Sequence, residues 1–191
     1  DLAGARERAQ RRERDRRGSP MSSMDQLYQQ LILEHAKSPH GKGLRAGGSG
    51  ESFQVNPTCG DEVRLRVHLA PDLAGAAGPV VERVSWEGQG CSISQASLSV
   101  MADLVEGVPM ATAEGLGETF RELMHSRGKG LDEDAEDALG DATAFTGVSQ
   151  YPARIKCALL GWAALRDALA QAGTPDPDVA PGDVAPDQED R

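Results

Sequence analysis

The feature that most constrains this chain is a turn at residues 56–61, Asn-Pro-Thr-Cys-Gly-Asp, which leads directly into an alternating strand. Pro57 restricts the backbone before the cysteine, and Gly60 can adopt a positive φ after it. Apolar residues then alternate with polar ones, the pattern of a half-buried strand, at Val63, Leu65, Val67 and Leu69. The sequence therefore predicts a turn, anchored to a sheet edge, that carries the thiol of Cys59 and the carboxylate of Asp61.

Two further segments are typical of strands. Residues 53–55 enter the turn, and residues 80–86 follow a connection rich in Gly, Ala and Pro. With the strand at 62–69 they predict a small three-stranded antiparallel sheet. Apolar residues recur at helical spacing elsewhere in the chain. The expected fold class is therefore α+β, with the sheet packed against several helices.

The predicted helices are bounded by capping and helix-breaking residues. Ser23 and Gln26 match a capping box, which predicts a first helix over about 24–37. A second helix is expected to begin at Cys91, and Pro152 suits the first turn of the last helix. The remaining predictions are a helix from Thr112 to about Gly128, a short acidic helix at 132–138 and a loop at 140–149.

Length and charge predict one domain with two extensions. The chain has 191 residues and a formal charge of −10. We expect a domain at 23–172, between a disordered Arg-rich extension at 1–22 and a disordered, acidic, Pro-rich tail at 173–191. The acidic balance argues against general nucleic-acid binding. No apolar run approaches the roughly 18 residues of a membrane helix, so no membrane association is expected.

The cysteine count indicates the compartment. Three cysteines are present, and residues 1–20 lack the apolar stretch of a secretory signal. An odd number of cysteines without such a signal favours a reducing environment and thiol or metal chemistry over a disulfide framework. We therefore expect a cytoplasmic protein.

The cysteines and one acid form a candidate ligand set. Cys59 lies in the turn, Cys91 follows a Gly-Gln-Gly break at a helix N-terminus, and Cys157 lies in the last helix. The helix N-terminus favours a thiolate at Cys91. With Asp61 they offer three sulfurs and one oxygen, which suits tetrahedral zinc.

Other interpretations remain open at this point. The paired C-x-x-C units of a zinc ribbon are missing, and Cys157 alone is equally well explained as a buried small apolar residue. The four histidines are expected to be surface or structural residues because none adjoins a cysteine. Neither a Ser-His-Asp order nor a Gly-x-Ser-x-Gly elbow occurs, which argues against hydrolase chemistry.

Three motifs together carry a resemblance to a known family. They are Asn56-Pro-Thr-Cys59-Gly-Asp61, Gly88-Gln-Gly-Cys91 with Ser94, Ala96 and Ser97, and Pro152-Ala-Arg154-Ile-Lys156-Cys157-Ala-Leu. Over about residues 24–172 the chain resembles the IscU/SufU family of iron–sulfur cluster assembly proteins, which includes NifU N-terminal-like domains. Within the family it is similar to the SufU branch.

Three departures separate the chain from scaffold-type members of that family. Lys156 stands where those members have a histidine before the third cysteine. An extra helical stretch at about 108–140 lies between the second and third cysteines, and the Pro-rich chaperone-recognition stretch is altered at 151–154. These departures favour sulfur transfer over cluster scaffolding.

The resemblance implies a SufE/IscU-like α+β fold with zinc held by Cys59, Asp61, Cys91 and Cys157. It also implies a sulfurtransferase-like role in which Cys59 accepts persulfide sulfur from a SufS-type cysteine desulfurase and a downstream Suf cluster-assembly scaffold receives it. Arg154, one turn before Cys157, is expected to steady the anionic site or to engage the partner, and a solvated arginine at a helix terminus explains it equally well.

Two rival functions stay open. In the first, the same thiolates build a [2Fe–2S] cluster and pass it to apo-proteins, since sulfur ligands suit both zinc and clusters. In the second, the chain is a structural zinc domain whose surface binds and activates a partner.

Overall fold

The computed structural model describes residues 22–71, 75 and 78–173. Its elements are α1 Ser23–Lys37, β1 Gly50–Asn56, β2 Asp61–Ala70, β3 Val80–Gln89, α2 Ser92–Val105, α3 Met110–His125, α4 Glu133–Leu139, the 3₁₀ helix Gly140–Gln150 and α5 Pro152–Ala172. The extension predicted to be disordered at 1–22 and the tail predicted to be disordered at 173–191 lie outside the described residues, apart from Ser22 and Gly173.

The three strands form one antiparallel sheet in the order β1-β2-β3, as the sequence predicts. Apolar and polar side chains alternate along β2 and point to opposite faces of the sheet. Val63, Leu65 and Val67 are fully buried, and the residues between them are only half-buried. Leu65 lies opposite Trp86 of β3 and the buried Ser52 of β1. The buried face of the sheet is therefore apolar on β2 and β3 and carries a hydroxyl on β1.

Helices α2 and α5 cover this apolar face. Helix α5 packs along β1 and β2, and α2 packs against α5 and β3. The hydroxyl of Ser52 in β1 donates to the carboxylate of Asp167 in α5 at 2.7 Å, which ties the last helix to the edge strand. None of the helices in the described ranges is long and apolar enough to cross a lipid bilayer. The α+β class with a sheet under several helices is confirmed.

An aromatic cluster joins α3 and the 3₁₀ helix to α5. The ring of Phe120 stacks on Trp162 with centroids 4.8 Å apart, and Phe145 meets Phe120 edge-on at 5.8 Å. Both phenylalanines are fully buried. The stretch between the second and third cysteines thus packs into the same core as the sheet.

The capping box of α1 lies one residue earlier than predicted. Ser22, rather than Ser23, is the N-cap: its Oγ accepts from the Asp25 N–H at 3.1 Å, and the Asp25 carboxylate accepts from the Ser22 N–H at 3.3 Å. Asp25 fills the position for which the sequence pattern favours Glu or Gln, so Gln26 is not used.

The prediction of a loop at 140–149 is wrong, because this segment forms the 3₁₀ helix. Its apolar side chains, Phe145 among them, are buried in the core. Side-chain bonds to the backbone support the tight turns: the Thr146 hydroxyl donates to the Thr143 carbonyl at 2.7 Å, and the Ser149 hydroxyl to the Thr146 carbonyl at 2.6 Å. The segment is rich in small and β-branched residues, which favour helices weakly, so its sequence shows no clear helical pattern.

Candidate metal centre

The turn between β1 and β2 positions Cys59. The side chain of Asn56 accepts a hydrogen bond from the Thr58 N–H at 3.1 Å, and the Asn56 carbonyl accepts from the Gly60 N–H at 2.9 Å. Gly60 has a φ of 75°, a conformation that glycine adopts at little cost. The turn closes where Asn56 pairs with Asp61. Cys59 is consequently exposed at the tip of a well-bonded turn.

Asp61 is the first residue of β2 and is only 4% exposed. Its Oδ1 accepts from the Cys91 N–H at 3.3 Å, and its Oδ2 lies 3.6 Å from the Cys91 sulfur. Gly90 makes this approach feasible: a Cβ there would meet the Ser94 hydroxyl and lie 3.0 Å from the Asp61 Cγ. Asp61 therefore caps helix α2 from a neighbouring strand.

Cys91 is the N-cap residue of α2, as the sequence predicts, and it is exposed. Its own side chain makes no capping hydrogen bond.

Cys157 lies in α5 and is buried, with 6% exposure. Its sulfur lies 3.9 Å from the Cys59 sulfur, and its S–H donates to the Ala153 carbonyl of the preceding turn at 3.6 Å. Burial, and then hydrogen bonds with Asp61 and Cys91, raises the pKa of the Cys157 thiol well above its usual range. Cys157 is therefore a buried thiol beside other thiols and a carboxylate, and not an isolated small apolar residue of the core.

The structure brings together all four residues of the predicted ligand set, but three of them lie closer to one another than to the fourth. The ligand atoms of Cys59, Asp61 and Cys157 lie within 4.8 Å of one another. Cys91 stands outside that compact group and contacts it through Asp61 and Cys157. Three sulfurs and one carboxylate oxygen from three different elements form a donor set that fits zinc, and the sulfurs also fit an iron–sulfur cluster.

The four histidines have partners elsewhere in the described part of the chain. Their contacts are His35 with Ser99, His40 with Asp103 and Glu106, His68 with Ser85, and His125 with the Arg121 carbonyl. Desolvation by burial, assisted by the charge of Arg83, lowers the pKa of His68. These contacts agree with the expectation of surface or structural roles.

Arg154 lies one turn before Cys157 and is exposed. Its guanidinium carbon is 5.7 Å from the ring centroid of Tyr151, which is 56% exposed. The pair is exposed at the start of α5, within two turns before Cys157. Lys156 is exposed as well, immediately before the buried Cys157.

Sequence reasoning gave the Asn56 side chain no role and treated Gly90 only as part of the break before Cys91, yet both shape the site. Asn56 holds the turn through its side-chain oxygen, and Gly90 leaves room for the Asp61 carboxylate. The tendency of Asn to bond the backbone two residues further on would have indicated the first role. The second depends on contact between distant elements and has no local signal.

The fold and the cluster define a class of small α+β proteins that gather three thiols and one carboxylate at the edge of an antiparallel sheet. Residues 27–158 match the family described as the NifU-like N-terminal domain. The chain belongs to this family.

The relatives of this chain include one protein named as a sulfurtransferase and one named as a cluster assembly scaffold. The chain is 40% identical to "Zinc-dependent sulfurtransferase SufU" of Bacillus subtilis over 153 residues, covering 78% of this chain and 94% of that protein. It is 36% identical to "Iron-sulfur cluster assembly scaffold protein IscU" of Streptococcus pyogenes, covering 78% and 86%.

A solved structure supports the same fold. The crystal structure of FiSufU from Fervidobacterium islandicum AW-1, described as an iron–sulfur cluster assembly scaffold protein for the SUF system, is 32% identical with a TM-score of 0.60. The match covers 73% of this chain and 93% of that one. The resemblance to SufU and IscU proteins is thus shown by sequence and by fold.

Proposed function

We propose that this protein is a zinc-dependent sulfur-transfer protein that accepts persulfide sulfur from a SufS-type cysteine desulfurase for iron–sulfur cluster assembly. The observation that carries the proposal is the exposed thiol of Cys59, 3.9 Å from the sulfur of the buried Cys157 within a cluster of metal-binding groups. A purely structural site has no need to leave one ligand accessible at the tip of a turn.

The accepting step is a thiol–disulfide type of exchange at Cys59. The Cys59 sulfur forms a bond to the outer sulfur of the donor persulfide while the bond from that sulfur to the donor cysteine breaks. The donor cysteine leaves as a thiolate, and Cys59 becomes a persulfide without net oxidation. The exposed position at the turn gives a partner's persulfide access to this thiol.

The other three residues are proposed to hold the metal. Asp61 and Cys157 are buried and Cys91 begins a helix, whereas Cys59 lies at the tip of an exposed turn. Bound zinc keeps its cysteine ligands in the thiolate form and contributes to folding. Arg154 and Tyr151 are proposed to contact the donor protein, since both are exposed at the start of the helix that carries Cys157 and the guanidinium carbon lies 5.7 Å from the ring centroid.

A second function, assembly of a [2Fe–2S] cluster, is favoured by the similarity to scaffold proteins named IscU. The same thiol and carboxylate groups suit it. Lys156 argues for the carrier instead: it is exposed, and an ammonium group at this place cannot supply the neutral nitrogen that a histidine would offer to a metal.

The test is a sulfide-release assay with a purified SufS-type desulfurase, L-cysteine and a reductant. We expect the wild-type protein to stimulate sulfide release and Cys59→Ser to lose the stimulation. Thr58→Ala is the matched control, because the hydrogen bond made at Thr58 uses its backbone N–H and persists without the hydroxyl. Undiminished stimulation by Cys59→Ser would contradict the proposal.

A further inference from the structure

The candidate metal centre depends on how α2 and α5 are placed relative to each other. Cys91 begins α2 and Cys157 lies in the second turn of α5, so any sliding of one helix along the other changes the distance between these ligands. A metal site tolerates only a few tenths of an ångström of such displacement. Contacts between the two helices near the cysteines are therefore part of the site.

One buried hydrogen bond joins the helices at this place. The hydroxyl of Ser97, 1% exposed, donates to the Ala158 carbonyl at 2.6 Å. Ala158 directly follows Cys157, and Ser97 lies six residues after Cys91. The bond thus connects the two helical ligands through short stretches of rigid helix backbone.

The packing beside this bond is equally close. A Cβ on Gly161, one turn after Cys157, would lie 2.5 Å from the Cδ2 atom of Leu98. Leu98 adjoins Ser97, so the Leu98–Gly161 contact and the Ser97–Ala158 hydrogen bond lie at the same crossing of α2 and α5. The absence of a Cβ at Gly161 lets the helices approach closely enough for the Ser97 hydroxyl to reach the Ala158 carbonyl.

We propose that Ser97 is a positioning residue of the metal centre, which sets the separation of Cys91 and Cys157 through its bond to the Ala158 carbonyl. The inference rests on the ligand set of the proposed function. Ser97 touches no ligand sulfur in the recorded contacts and acts only through the backbone next to Cys157.

The test compares Ser97→Ala with Ser99→Ala by zinc competition against a chromogenic chelator. Ser99 is a matched control on the same helix: it is also fully buried, but its hydroxyl contacts the ring of His35 at 2.7 Å and the His40 N–H at 2.8 Å. We expect the zinc Kd to rise about tenfold in Ser97→Ala, as for loss of other supporting contacts of metal sites, and to change much less in Ser99→Ala.

Two further readouts separate positioning from general loss of stability. The midpoint of thermal unfolding of the metal-free protein should fall in both variants, because each loses a buried hydrogen bond. The visible spectrum of the cobalt-substituted protein should change only in Ser97→Ala. Gly161→Ala, which pushes the same helices apart and keeps the hydroxyl, should also raise the Kd and supplies the test if Ser97→Ala fails to fold.

An unchanged Kd in folded Ser97→Ala would overturn the proposal, and so would equal losses in Ser97→Ala and Ser99→Ala. If Ser97→Ala does not fold, an unchanged Kd in Gly161→Ala overturns it. Wild-type protein that binds no zinc would instead contradict the proposed function and, with it, the ligand set that Ser97 is inferred to position.

Discussion

The Sγ atoms of Cys59 and Cys157 lie 3.9 Å apart, although 98 residues separate them in the chain. One thiol is exposed at the tip of the turn after β1, and the other is buried in α5. The packing of α5 along β1 and β2 creates this pair. An accessible thiol beside a sequestered one suits a centre in which one cysteine reacts while another stays in place.

The sulfur pair predicts which disulfide the metal-free protein forms. Treatment with diamide, which takes up the two hydrogens of the thiols, should link Cys59 to Cys157. Cys91 should remain reduced because the Cys59 and Cys157 sulfurs already lie 3.9 Å apart, whereas the Cys91 sulfur contacts the Asp61 carboxylate at 3.6 Å. Peptide mapping by mass spectrometry under non-reducing conditions gives the connectivity. Cys91→Ser should still form the bond, and a disulfide that includes Cys91 would show that the pairing is wrong.

Among single substitutions outside the cysteines, Asp61→Ala should weaken zinc binding the most. The change removes an oxygen donor and also the cap on the Cys91 N–H. We expect the zinc Kd to rise at least about tenfold. Chelator competition measures it, with Glu62→Ala as the control, since Glu62 is the next residue of β2 and points to the other face of the sheet. Equal retention of zinc by wild type and Asp61→Ala would exclude Asp61 as a ligand.

Gly90→Ala should weaken the site without removing any donor atom. The new Cβ would meet the Ser94 hydroxyl and the Asp61 carboxylate, so Asp61 has to move away from Cys91. The zinc Kd should rise, again measured by chelator competition. Gly115→Ala on α3 is the control, because no atom lies within 4 Å of the added carbon and alanine favours the helix. Unaltered zinc binding in Gly90→Ala would mean that the close approach is not required.

The charged pairs on the outer face of the sheet predict a small acid-dependent loss of stability. Hydrogen bonds from Arg66 and then Arg64 lower the pKa of Glu51 below 4.5. Because the folded-state pKa is the lower one, this stabilisation is complete above about pH 4.5 and is lost as the pH falls through the folded-state value. Solvent screening keeps it modest.

Urea unfolding of the metal-free protein at a series of pH values measures this effect. Glu51→Gln should flatten the decline of the unfolding free energy below pH 4.5. Glu87→Gln should leave the decline as it is, since Glu87 forms no recorded ion pair within the described ranges. Identical pH profiles for Glu51→Gln and wild type would show that the Arg pairs contribute nothing measurable.

The fold was largely predictable because its main elements have simple periodicities. Alternation along Val63 to Leu69 predicted β2, and Pro152 marked the start of α5. The 3₁₀ helix was missed because its stability comes from burial of Phe145 and from hydroxyl bonds such as that of Thr146, neither of which has a strong local pattern.

The site was predictable as a set of residues but not as an arrangement. The turn motif and the helix start indicated Cys59 and Cys91, whereas the spacing of Cys157 in an apolar helix was equally compatible with core packing. The long-range contacts that give each residue its place, such as the Asp61 carboxylate on the Cys91 N–H, depend on how β2, α2 and α5 meet. No pattern within a single segment encodes them.

The central claim, a zinc-bound sulfur carrier, is tested most directly by the metal and acid-labile sulfide content of the wild-type protein purified without added metal. We predict one zinc ion per chain and no labile sulfide, and Asp61→Ala purified in the same way should have lost most of the zinc. Iron with acid-labile sulfide, visible colour and transfer of the cluster to an apo-ferredoxin would contradict the carrier and establish a scaffold.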